Sequence, residues 1–481
     1  MSTAENSSAW SSQTSLGFLP LDASFLEESV PGFTERAGCF CEEVRKTMEE
    51  WLRRENAVLI TPPEGRTVNT EAAVKGAVDH FEKTGCDGII VLFLSYSPSL
   101  NLVGPFSKTL LPLIFLDTTG RYDFMEAEGA EELMFNHGIH GVQDICSLLV
   151  RAGKPYIVEA GHMGEQLPGG KREECLKDKL IDRISQVRLA SAFSKERVGL
   201  IGDPLEGMGD FRVDFDVLRR RTGVEVVLLD LQELVENARD TRDTRNTRGA
   251  GEKTGSVSAD NLALTLGYET ALRLAADRYS LTSFASNAFV FKEATESGVV
   301  PFYAFSRLLA DGFGYAGEGD VVTAALTGAL LKACEGKATF TEMFCPDWKQ
   351  DRVLLSHVGE MNFGISDDAD LIEKTYALTG TKAVALRGRY RSGKAVLLNL
   401  VPNERGPFRL IEVGGEVEET PDNPALENTV RGWFRPDSGL VSMLEAYSYA
   451  GGTHHLALVY GQERELFSEF ARLMSWEYIH I

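Results

Sequence analysis

Residues 314–326 read GYAGEGDVVTAAL: three glycines and two carboxylates run directly into an apolar segment. Asp320 is placed to cap a helix, because its carboxylate can accept from the free N–H groups of a first helical turn. Val321, Val322, Ala325, Leu326, Leu330 and Leu331 recur at helical spacing, which carries the helix to about Cys334. Gly317 and Gly319 allow a tight bend around Glu318. Two readings of Glu318 stay open at this point: a solvated acid in a helix-entry loop, or a side chain that holds something.

The pattern on either side of this stretch sets the fold class. Upstream, AVLIT (57–61), GIIVLFL (88–94), LPLIFLD (111–117) and PYIVEAG (155–161) are short apolar runs separated by helical segments at about 70–83 and 128–152. Runs apolar on both faces belong to parallel sheets covered by helices. A polar helix at about 170–192 leads to a second such region, with RVGLIGD (197–203) and VEVVLLD (224–230) as its strands. Downstream of Cys334, RVLLS (352–356), KAVALRG (382–388), AVLLNLV (395–401), FRLIEV (408–413) and HLALVYG (455–461) are strand-like, and helical pattern is scarce before 462–474. The expected architecture is two open parallel-sheet α/β domains, 1–192 and 193–337, followed by a mainly β C-terminal domain, 338–481. Residues 238–258 carry three near-copies of DTR or NTR and almost no apolar side chains, which marks an exposed insertion. The Ser- and Thr-rich first fourteen residues read as a loose tail.

A chain of 481 residues exceeds one compact core. The formal net charge of −22 disfavours nucleic acid and anionic membrane as partners. No apolar run has the length of a membrane span. Seven cysteines without a CxxC pair point to reduced thiols and a cytoplasmic setting.

Among eight histidines, three stand out by position. His357 follows a strand in LLSHVGEMN, and His454 and His455 precede one in AGGTHHLALVYG. Glu342, in FTEMF, also sits at a strand end. Glu318, Glu342, His357 and His455 make a candidate set of two carboxylates and two imidazoles. Such a mixed oxygen and nitrogen donor set suits Mn²⁺, with Co²⁺, Zn²⁺ or Mg²⁺ also accommodated.

These segments carry a resemblance. GFGYAGEGDVVTAAL is similar to the GYGFAGEGD-like loop of the L-arabinose isomerase family, within the wider L-fucose/L-arabinose isomerase-like superfamily. SHVGEMN resembles that family's histidine segment, and AGGTHHLAL its C-terminal AGGAHH segment. DFMEAEGAEELMFNHGIHG, SPS at 97–99 and VEAGH at 158–162 follow in the family's order, so the likeness spans roughly 85–465. It implies that Glu318, Glu342, His357 and His455 are metal ligands and that Glu318 and Glu342 are also the acid/base pair. It further implies that His454 and Met208 lie near the substrate, and that His140 reaches a neighbouring subunit's site in a hexamer built from trimers. The family's Gln-His-Leu-Tyr-like loop is absent from LGFLPLDASFLEES, Val321 replaces a Trp, and TEMFCPDW has diverged, which makes Asp347 a rival to Glu342. The sugar-reading loops have changed more than the ligand set.

The expected activity is interconversion of an aldose and a ketose, a pentose or a 6-deoxyhexose or hexose, through an enediol. A metal-assisted hydride shift uses the same groups. Two other functions are compatible with parts of the sequence: a metallohydrolase on the same ligands, and a non-catalytic sugar-binding or regulatory protein. Retention of both glutamates and both histidines counts against the last.

Overall fold

In a computed structural model the described residues are 13–122, 129–164, 175–242, 257–294, 298–376, 380–461 and 464–481. The expected tail lies outside them up to residue 12, as does most of the DTR-repeat insertion. Among the described residues no helix is long and apolar enough to cross a membrane.

The first sheet is built from β1 (Thr14–Asp22), β2 (Ala57–Ile60), β3 (Thr67–Val68), β4 (Gly88–Phe93), β5 (Leu113–Asp117) and β6 (Ile157–Ala160). Its order is β2-β1-β4-β5-β6, with β3 beside β1, and every pair is parallel. All six residues of β4 are buried, as expected of a strand covered on both faces. Strand β1 was not anticipated, although it is central. Its Gly and Pro dilute the β-branched signal on which a sequence reading depends. The helical run expected at 128–152 is broken into Ala130–Phe135 and Gly138–Ala152. This sheet belongs to a compact unit formed by residues 11–191 together with 472–475.

The other unit, residues 192–471 with 476–481, contains two sheets. One holds β7 (Arg197–Ile201), β8 (Glu225–Leu229), β9 (Ser283–Ser286) and, after the two-residue β10 (Val299–Val300), β11 (Gly314–Gly317). Its order is β11-β9-β7-β8 and all its pairs are parallel.

The other sheet is mainly antiparallel. It uses β10, β12 (Ala338–Asp347), β13 (Arg352–His357), β14 (Asp370–Tyr376), β15 (Thr381–Arg389), β16 (Gly393–Val401), β17 (Arg409–Glu418), β18 (Val430–Pro436), β19 (His455–Tyr460) and β20 (Glu477–His480). The run β18-β13-β12-β19-β16-β17 returns on itself, because β17 also pairs with β18. Closure leaves these strands without a free edge in the ring. Alternate residues of its strands, among them Val353 and Leu355, Leu456 and Leu458, Ile411 and Val413, form one apolar cluster.

The helix Val321–Ala333 joins the two sheets. Its residues from Val321 to Leu331 are all buried, so it is apolar around its whole circumference. It contacts β7, β9 and β11 of the parallel sheet and β12, β16 and β19 of the ring. Its N-terminus, and with it Glu318 and Asp320, is thereby held where the ring strands β12 and β19 pass.

Candidate metal centre

The expected cap forms. Asp320 Oδ1 accepts from Val322 N (3.0 Å) and Thr323 N (2.9 Å), and the helix ends at Ala333. The segment before it is not an open loop: GYAG is strand β11, all buried. At its end Asp320 N–H donates to Gly317 O (3.0 Å), closing a turn whose central residues are both left-handed, Glu318 at φ 59° and Gly319 at φ 85°. For glutamate that conformation is uncommon and is held only where the surroundings fix it. Here Leu205 N–H donates to Glu318 O (2.9 Å). A Cβ at Gly319 would come within 2.7 Å of Pro204 Cα, so both backbone shape and space require glycine there.

The turn presents Glu318 to side chains from the ring. Glu342 on β12 lies directly opposite His455 on β19 and opposite Ser356 on β13, one residue before His357. Glu342 Oε1 is 3.2 Å from His357 Nε2 and 3.1 Å from His455 Nε2. Glu318 Oε2 is 3.5 Å from His455 Nε2 and 3.4 Å from His454 Nε2. Thus residues 318, 342, 357 and 455 meet, despite separations of up to 455 − 318 = 137 positions. The rival Asp347 does not join them: its carboxylate faces Arg352 Nε at 3.4 Å. His140 lies in the other unit, its Nδ1 2.5 Å from His137 Nε2. Met208 lies in the 204–212 segment, where its carbonyl accepts from Arg212 Nε (2.7 Å).

That segment supplies residues the sequence did not single out. Asp210 accepts from the backbone N–H of His454 (3.0 Å) and faces its Nδ1 (2.7 Å). The Phe211 ring stacks on His455, centroids 5.0 Å apart and planes at 15°. Phe340 meets the rings of His357 and His455 edge-on, at 4.6 and 5.0 Å. Behind the imidazoles lie two further carboxylates: Asp320 Oδ2 at 3.0 Å from His455 Nδ1, and Glu360 Oε1 at 2.8 Å from His357 Nδ1. Glu360 stands three residues after His357 in SHVGEMN and Asp320 two after Glu318, so both were in view; only their partners were not.

Charge and burial explain the protonation states. Burial raises the Glu318 carboxyl, but the adjacent imidazoles of His454 and His455 outweigh it and bring it down to about 2. Glu342 is driven the same way: burial opposes, and His357 and His455 prevail. For His357, burial disfavours the charge, yet Glu360 and Glu342 hold the imidazole up at about 10. His455 is likewise raised well above its ordinary range, with Asp320, Glu318 and Glu342 overcoming its burial. His454 is also raised, chiefly by its bond to Glu318, so the carboxylates that favour cationic imidazoles would equally favour a metal cation.

Orphaned nitrogens test whether a cation fits. Nε2 of His357 and Nε2 of His455, the two ring nitrogens that face Glu342, are buried without a partner in hydrogen-bond geometry, although its carboxylate oxygen is close. Buried polar atoms normally have aligned partners, so nitrogens that converge without alignment fit a shared cation. Ligand atoms of Glu318, Glu342, His454 and His455 lie within 4.8 Å of one another. His454, however, is 40% exposed and both its nitrogens are engaged, by Asp210 and Glu318, whereas the His357 side chain is 2% exposed and unsatisfied. His357 is therefore the better fourth donor. Two carboxylates and two imidazoles balance a divalent charge, which reduces the cost of burying it.

Fold and site together define a class: an α/β protein whose closing helix delivers a carboxylate to a β ring bearing a second carboxylate and two buried imidazoles. The sequence comparisons name it. Residues 337–477 match the family described as L-arabinose isomerase C-terminal domain. A protein of Nocardioides sp. named L-arabinose isomerase is 26% identical over 433 residues, covering 85% of this chain and 83% of its own. One of Geobacillus thermodenitrificans with the same name is 23% identical over 97% of this chain and 95% of its own. A third, of Leuconostoc mesenteroides, is 32% identical over 42% of this chain and 44% of its own. Over most of its length the chain is thus similar to L-arabinose isomerases, and its residues 337–477 match that family's C-terminal domain.

Proposed function

We propose that the protein is a divalent-metal-dependent aldose–ketose isomerase, with a pentose or a 6-deoxyhexose or hexose as substrate. The observation that carries this is the convergence of Glu318, Glu342, His357 and His455 with unaligned, buried imidazole nitrogens. Full-length relatives named L-arabinose isomerase support the reaction class. Glu318, Glu342, His357 and His455 hold the cation, Mn²⁺ by the donor set, with Co²⁺, Zn²⁺ or Mg²⁺ as substitutes. When bound, such an ion supplies Lewis-acid polarisation of a carbonyl and its neighbouring hydroxyl.

The proton movements fall to the two glutamates. One carboxylate takes the C2 proton of the open-chain aldose, leaving an enediol, and returns a proton to C1. The other moves the hydroxyl proton from the C2 oxygen to the C1 oxygen, so the ketose forms with no net gain or loss. Both carboxylates are ionised in the metal-free site, as acceptors must be, and each such role contributes about 10²–10⁴-fold. Of the pair, Glu318 is the more open, 23% exposed against 13%. His454, fixed by Asp210, and Met208 on the same segment face substrate hydroxyls in this reading. His140 serves a neighbouring subunit's site in a homo-oligomer.

The test is direct. The purified protein is stripped with a chelator and incubated with a panel of aldoses and ketoses, with and without Mn²⁺. Mn²⁺-dependent interconversion is expected, and Glu318→Gln should abolish it without loss of fold; a fully active variant refutes the assignment. Mixed oligomers of His140→Ala and Glu318→Gln subunits should regain part of the activity that each lacks alone. A fully active His140→Ala protein ends the shared-site assignment.

A further inference from the structure

Asp320 does two things at once. Its Oδ1 takes the N–H groups of Val322 and Thr323 at the head of the Val321–Ala333 helix, and its Oδ2 lies 3.0 Å from His455 Nδ1. The residue is fully buried, as is His455. The opposite nitrogen, His455 Nε2, points to Glu318 and Glu342 at 3.5 and 3.1 Å and has no aligned partner. The ring cannot rotate freely: Phe211 stacks on one face and Phe340 abuts it edge-on. Asn399 Nδ2 also donates to the His455 carbonyl (2.8 Å) and to Thr453 Oγ1 (2.7 Å), fixing the backbone.

We propose that Asp320 is the positioning residue of the metal centre. By accepting Nδ1–H while anchored to a helix terminus, it fixes the tautomer and plane of His455 so that Nε2 alone is the ligand nitrogen. A histidine ligand needs its second N–H held by an acceptor, and loss of that acceptor typically weakens metal affinity about 10–100-fold. The inference rests on the metal-site reading above and goes beyond it by assigning a residue that contributes no ligand atom.

Asp320→Asn separates the two tasks. Asparagine caps helices as well as aspartate. With its oxygen kept by the cap, its NH₂ faces Nδ1, which must then accept, and the ring proton moves to Nε2 where it blocks coordination. Asp320→Ser also caps but is too short to reach His455. Chelator-treated wild type and both variants are melted, then titrated with Mn²⁺ while the free-ion EPR signal is followed. Each is titrated below its own unfolding transition, so fold and affinity are read separately. The Co²⁺-loaded proteins are compared by visible absorption, which reports the ligand set. Expected are a melting temperature for Asp320→Asn close to wild type, a 10–100-fold weaker Mn²⁺ affinity for both variants, and altered Co²⁺ bands. Wild-type affinity and spectrum in folded Asp320→Asn would reduce Asp320 to a helix cap and overturn the proposal. Failure of wild type to take up Mn²⁺ would instead remove the metal reading itself.

Discussion

Gly317→Ala is the smallest change that should damage the site without touching a ligand. A Cβ at residue 317 would lie 2.9 Å from His357 Cε1 and 3.3 Å from Nε2. Ordinary contact begins near 3.4 Å, so the ring must yield by 3.4 − 2.9 = 0.5 Å. It has little room: Phe340 meets it edge-on at 4.6 Å, and Glu360 and Glu342 flank its two nitrogens. Overpacking of this kind costs about 1–3 kcal/mol. For a unit of this size that is a fall in melting temperature of a few degrees. A displacement of about half an ångström at a ligand should lower kcat/KM by about tenfold, given that 1 Å can cost about 10²-fold. Calorimetry of the chelated protein and steady-state isomerisation kinetics read the two effects. A Gly317→Ala protein that melts and turns over like wild type would refute the seating of His357 against β11.

Three further outcomes follow from the same geometry. Asp210→Asn weakens the anchor that holds His454 at 2.7 Å; at a half-exposed site this is worth about 1 kcal/mol, or about fivefold, and should appear mainly in KM for the sugar. The pH dependence has a definite sign. Because the folded protein raises His357 from 6.5 to about 10, its contribution is complete below pH 6.5 and is lost as pH rises toward 10. Glu318, lowered from 4.5 to about 2, contributes above pH 4.5 and loses that contribution as pH falls toward 2. The stability difference between chelated wild type and His357→Gln should therefore shrink from pH 6.5 to 9; a constant or growing difference would contradict it. Saturating Mn²⁺ should oppose that trend, since binding displaces the imidazole protons and so tightens as pH rises. Thermal melts with and without the ion show whether the Mn²⁺-induced shift grows with pH.

The parts of this protein legible in the sequence are those governed by local chemistry. The buried runs at 88–94 and 111–117, the strands after Cys334 and the Asp320 cap all follow from neighbouring residues, and all appear in the structure. GYAG did not read as a strand because its glycines carry no β signal; what makes it one is parallel pairing with β9. The helix Leu440–Tyr449 was missed inside a region of strands, its buried face reduced to Leu440, Met443 and Tyr447. At the site, residue types could be chosen from motifs, but partners could not. Asp320 was visible as a cap, while its second oxygen serves a histidine 135 residues away. Asp210 and Phe211 sat unremarked beside Met208, because nothing local announces that their loop folds against His454 and His455.

The central claim is that one divalent cation is shared by Glu318, Glu342, His357 and His455. Anomalous diffraction from crystals grown with Mn²⁺ tests it most directly. The account predicts a single strong peak bounded by Nε2 of both histidines and one oxygen of each glutamate, with His455 Nδ1 still on Asp320. A peak coordinated elsewhere, or none at saturating Mn²⁺, would contradict it.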